Sequence, residues 1–149
     1  MVQAMSAGRL SVFDKTLQES NLWLKALMPI LHTRSRNEAY DALRATLHAL
    51  RDRIGPENAV HLGAQLPMLI RGLYYEGWHP AGTPTKERHV TDFLDHLSEK
   101  LARNSRTEPE TAARAVFNVM WQKIDAGEVA KLLRILPVEL RDLWVEAKD

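Results

Sequence analysis

The sequence predicts an all-α fold: two tandem repeats of a four-helix unit packed into one globular helical domain. Three observations lead there. Apolar residues recur at three-and-four spacing along most of the chain, the signature of helices with one buried side. Most prolines and glycines fall between those stretches, where they end one helix and open the next. The second half then repeats the pattern of the first without a gap.

The first helix is predicted over residues 11–32 from Val12, Phe13, Leu17, Leu24, Leu27, Met28 and Leu31, with Asp14 and Glu19 early, where the helix dipole favours negative charge. Pro29 predicts a kink or an early stop. Ser35 and Glu38 then form a capping-box pattern ahead of the clearest amphipathic stripe in the chain, Ala39, Leu43, Leu47, Leu50 and Ile54, which predicts a second helix over 36–54. Gly55-Pro56 ends it and starts a third, with Ala59, Val60, Leu62 and Leu66 on its buried side. Leu66-Pro67 breaks the chain again, because the residue before proline is pushed out of the α region. A short fourth helix runs to about residue 76, and Gly77 is placed for a left-handed cap. Turn formers from His79 to Thr85 mark a linker.

Residues 21–79 laid over 91–149 pair Leu24 with Leu94, Leu27 with Leu97, Ala42 with Ala112, Ile54 with Ile124 and Leu62 with Leu132. Periodicity alone could align leucines. It does not explain why Leu66-Pro67 meets Leu136-Pro137, or why Arg71 meets Arg141. The organisation read from this is a frayed terminus over 1–10, a first repeat over 11–78, a linker over 79–87 and a second repeat over 88–147. Helices in the second repeat are expected near 86–103, 108–125, 128–136 and 137–146. Thr107 with Glu110 and an early Pro109 signal the start of the second of these.

At 149 residues the chain can bury a core without staples, and its 45% hydrophobic and 26% charged content is that of an ordinary globular domain. The absence of cysteine excludes disulfide frameworks, thiolate nucleophiles and thiolate metal clusters. Twenty basic against nineteen acidic side chains leave no long-range field to attract nucleic acid. The beginning of the chain carries no leader or lipidation pattern, and no apolar run reaches the roughly eighteen residues that cross a bilayer. A cytoplasmic location without membrane partners is the expectation.

Four stretches carry a resemblance: residues 12–19, 42–53, 61–78 (His61 through Leu66-Pro67, Arg71, Tyr74-Tyr75 and Glu76-Gly77-Trp78) and 88–94. Together they resemble the bacterial domain-of-unknown-function family numbered 2267, over nearly the whole chain. The resemblance implies an all-helical, two-repeat bacterial cytoplasmic protein; it supplies no activity, cofactor or catalytic residue.

The densest chemistry lies between Gln65 and Trp78. Arg71, Tyr74, Tyr75 and Trp78, followed by His79, are candidate contact residues, since rigid aromatics and arginine dominate binding hot spots. The competing reading is core packing that joins the repeats. His89, Asp92 and His96 share one helical spacing and are weak metal candidates; a di-iron bundle would need matching carboxylates that the second half lacks. Arg44, His48 and Arg51 form a basic strip, neutralised by Asp41 and Asp52 and without stacking aromatics. No phosphate loop, nucleophile elbow or zinc-protease motif appears. These observations predict a non-enzymatic helical protein-interaction module, self-associating as a homodimer and without cofactor. The alternative is a small-molecule or lipid binding protein, or a cryptic enzyme, with a pocket between the repeats.

Overall fold

The structure, a computed structural model, describes residues 9–144. The expected frayed terminus over 1–10 and the expected last helical turn beyond 144 thus fall largely outside the described residues. Among the described residues every regular element is helical, and no helix is long and apolar enough to cross a membrane.

Helix α1 (Ser11–Ile30) holds Pro29 in its last turn. One donor is lost there at little cost, because the helix is already ending. His32 at φ 54° and a Thr33 N–H bond back to Met28 O at 3.0 Å close it as a left-handed terminus, two residues before the expected end. Helix α2 (Arg36–Ile54) has the expected bounds. Ser35 Oγ accepts from Glu38 N at 3.2 Å, but the returning arm of the cap runs through Thr33, whose hydroxyl accepts from Ser35 N and donates to the Glu38 carboxylate. Gly55, at φ 86°, makes the corner into α3 (Pro56–Gly63).

Helix α4 (Met68–Tyr75) follows the Leu66-Pro67 break, and Gly77 takes φ 70° just beyond its end, the left-handed cap expected of it. A short 3₁₀ turn, Pro80–Gly82, interrupts the linker. Helix α5 (Val90–Lys100) is shorter at both ends than its expected span of 86–103. Its start is delayed because the linker is pinned to α2: Thr85 N donates to Asp52 O at 2.8 Å, and Arg53 Nε donates to Glu87 O at 2.6 Å.

Helix α6 (Pro109–Lys123) opens on Pro109 as expected, but the Thr107–Glu110 capping box does not form. The Glu110 carboxylate takes Arg114 instead, leaving Glu108 as an N-cap whose side chain makes no capping bond. Helix α7 (Ala126–Ile135) begins two residues early because Asp125 caps it, accepting from Gly127 N at 3.0 Å. Helix α8 (Val138–Arg141) gives way to a 3₁₀ turn, Asp142–Trp144, inside the span expected to be one helix.

Helix α2 is the axis of the fold. It packs against α1, α3, α4, α5 and α6, while α6 also meets α1, α5, α7 and the final turn. The expected stripe from Ala39 to Ile54 is buried, and from Ala45 to Asp52 so is every other residue of α2, polar ones included. In the other half Phe117 stacks on Trp144 at 4.2 Å with rings 4° from parallel.

Candidate functional site

Arg71 is held by backbone. Its Nε donates to Gly63 O at 2.8 Å and its Nη2 to Leu66 O at 2.9 Å, satisfying carbonyls that the end of α3 leaves without helical partners. Tyr74, three residues on along α4, has no exposed surface, and its hydroxyl donates to Ala59 O at 2.7 Å. Burial raises its phenol above the ordinary tyrosine range. Tyr74 is thus a core residue with no surface to offer a partner, which corrects its candidacy as a contact. Tyr75 is half-buried, edge-on to Tyr74 at 4.9 Å and 5.4 Å from half-buried Trp78. His79 is exposed.

Beneath these aromatics lies a charged cluster that no motif announced. Arg51 Nε donates to Asp52 Oδ1 at 2.9 Å, and its Nη1 donates to Tyr74 O and Glu76 O at 2.8 and 3.0 Å. Lys100 Nζ stands 3.3 Å from Asp52 Oδ2, so the cluster ties α5 to α2. His96 Nε2 is 3.5 Å from the same oxygen, at the outer edge of hydrogen bonding. Burial alone would raise the Asp52 carboxyl, but His96, Arg51 and Lys100 outweigh it and hold the group well below the usual carboxylate range.

His48 Nε2 lies 2.6 Å from Leu73 O. A carbonyl can only accept, so Nε2 carries the proton. Burial, opposed by that bond, lowers the imidazole below its ordinary value. The basic strip is consequently turned inward: His48 and Arg51 are buried, and Arg44 donates to Lys100 O across to α5. It offers no phosphate-binding face. In the overlay of the two halves His48, Arg51 and Asp52 meet Asn118, Trp121 and Gln122, so buried charged residues of α2 stand opposite neutral ones. That contrast was the signal available in the sequence.

The three metal candidates go separate ways. His89 Nδ1 pairs with Glu139 at 2.8 Å, which raises the imidazole and lowers the carboxyl; His96 faces Asp52; Asp92 is exposed. Among the described residues no three His, Cys, Asp or Glu side chains converge on one metal position.

Two hollows remain. One, about 300 Å³, lies between α3 and α7, with Leu62, Ile124 and Leu132 among its walls and Glu57, Glu128 and Lys131 among its polar groups. The other, about 370 Å³ and more open, lies between α1 and the Leu66-Pro67 corner, touched by Val12, Met68 and Arg71.

No curated protein matches the chain. One family model, described as an uncharacterized conserved protein (DUF2267), matches residues 20–143. That span takes in both Leu-Pro corners, the charged cluster and the aromatic segment, and the chain belongs to this family.

Proposed function

We propose that the chain is a non-enzymatic helical interaction module that pairs with a second copy of itself through the first turns of α1. The observation that carries this reading is an uncovered stripe: Leu10, Phe13 and Leu17 follow one another at spacings of three and four and are each at least half exposed, Phe13 at 60%. Further along the same helix Ser20, Trp23 and Leu27 turn into the core. Such spacing fits a helix as the occupant, since a seam of this kind accepts the knobs of a facing helix. A second α1 laid antiparallel sets Phe13 of each copy near Leu17 of the other, the self-complementary arrangement of a two-fold dimer. Exposed Met68 and Leu69 widen the surface, with Leu69 N bonded to Thr16 Oγ1 at 3.0 Å. Arg71 borders it through the open hollow, while Tyr75 and Trp78 hold α4 in place behind it.

Light scattering across a concentration series tests this. The native chain should rise to dimer mass and a Phe13→Glu, Leu17→Glu variant should stay monomeric with an unchanged melting temperature. A native chain that stays monomeric to millimolar concentration removes the proposal.

We also infer that the fold is a duplicated four-helix unit. In support, Trp23 and Phe93, Leu27 and Leu97, Leu50 and Met120, Ile70 and Leu140, and Tyr74 and Trp144 are buried pairwise. Pro67 and Pro137 share a backbone conformation, φ −56° and ψ 148° against φ −55° and ψ 150°. Arg71 and Arg141 each donate to the carbonyl of the leucine five residues back. An experimental structure in which residues 21–74 and 91–144 fail to superpose with both corners coincident would end the inference.

A further inference from the structure

We propose that the hollow between α3 and α7 is a binding site for a small organic cation with an apolar body, of the alkylamine or arylalkylamine class. This goes beyond self-association and uses a different part of the molecule.

Three features carry it. The floor is apolar and anchored: Leu62, Ile124 and Leu132 keep less than a tenth of their surface exposed, and Ile124, just past α6, is tied back to it by its N–H bond to Met120 O at 2.8 Å. A floor held from behind cannot collapse to fill the space. At about 300 Å³ the hollow stands at the lower end of the range of about 300–1,000 Å³ for small-molecule sites, enough for a body the size of a phenylethyl group.

The charges at its edge select the ligand. Lys131 Nζ lies 3.4 Å from Glu128, so that carboxylate is balanced within the site. Glu57 enters no hydrogen bond or ion pair among the described residues and places a carboxylate without a partner at the edge of the hollow. The dipole of α3 favours an acid in its first turn, which explains why a carboxylate is tolerated at position 57. It does not explain an unpaired carboxylate beside an apolar cavity. An anion would be repelled there, and a neutral apolar guest would strip water from Glu57 without replacing its hydrogen bonds. An ammonium group does replace them, while its hydrocarbon body covers Leu62 and Leu132.

Titration of the full chain with 2-phenylethylamine, alongside the near-isosteric 3-phenylpropionate and 2-phenylethanol, tests the assignment by calorimetry and by shifts of the Leu62 and Leu132 methyl resonances. The amine should bind saturably and at least about tenfold more tightly than the acid or the alcohol. Glu57→Gln, at an exposed position that leaves folding intact, should weaken the amine by about tenfold and leave the alcohol unchanged, as expected for losing a hydrogen bond between charged groups. Absence of saturable amine binding, equal binding of all three compounds, or an unchanged amine affinity in Glu57→Gln would each overturn it. The Phe13→Glu, Leu17→Glu variant should bind the amine like the native chain, which separates this result from the fate of the dimer.

Discussion

The phenol ring of Tyr75 rests on Gly63, the residue of α3 that has no side chain to hold it off. A Cβ built at Gly63 would stand 2.7 Å from Tyr75 Cζ, inside any real carbon contact. The ring closes the aromatic series from Tyr74 to Trp78, so the glycine determines where α4 sits against α3.

Gly63→Ala should therefore destabilise the fold by about 1 kcal/mol, since displacing the ring outweighs what alanine gains in helix propensity. In a Tyr75→Ala background the same change should become neutral or stabilising by a few tenths of a kcal/mol. A double-mutant cycle from urea unfolding reads the coupling, and additive effects would show that the ring and the glycine act independently.

Asp52→Asn should cost about 3 kcal/mol, because it leaves the buried Arg51 guanidinium without its counter-charge. Lys100→Met should cost less than about 1 kcal/mol, as Lys100 is partly solvated and Arg51 remains in place. The Asp52 carboxyl is depressed in the folded state, so its contribution is full above its unfolded value of 3.8 and is lost as the pH falls below it. Unfolding of native and Asp52→Asn chains between pH 2 and 7 should give curves that converge at the acid end.

His48 acts in a higher range. Its folded pKa lies below 6.5, so the unfolded chain takes up the proton first; stability is full above pH 6.5 and declines as the pH drops beneath it. His89, raised by Glu139, acts in the opposite sense: its contribution is full below pH 6.5 and is lost as the pH rises through its higher folded value. That pair is exposed and screened by salt, so unfolding in about 0.5 M salt isolates His48. His48→Gln should then flatten the slope between pH 5 and 7; a slope unchanged in that variant would assign it elsewhere.

Tyr74→Phe should cost about 1 kcal/mol, the worth of the hydroxyl bond to Ala59 O, and leave the packed ring in place. Thermal melts of the variant should keep the cooperativity of the native chain with a lower midpoint.

The helices themselves were legible. Pro56, Pro67, Pro109 and Pro137 can begin a helix but cannot continue one, and Gly55 and Gly77 accept the positive φ that ends one, so local chemistry places these boundaries wherever the chain later packs. The cap expected at Thr107 does not form, because a capping pattern only offers a bond. Glu110 found a closer partner in Arg114, one turn along the same helix.

The candidate site was legible only as composition. Arginine and aromatics between Gln65 and Trp78 read alike as a contact surface or as a core, since both use rigid rings and bidentate donors. The sequence by itself determined the helical periodicity and the Leu-Pro corners, because those follow from backbone sterics and from spacing along the chain. Tertiary structure alone decided that Tyr74 is enclosed, that Arg71 caps backbone, and that His48, Arg51 and Asp52 lie inside while Phe13 and Leu17 lie outside. Burial is a relation between segments far apart in sequence: five helices pack on α2 and enclose it from Ala45 to Asp52, charges included, whereas Phe13 and Leu17 of α1 keep their apolar side chains in water.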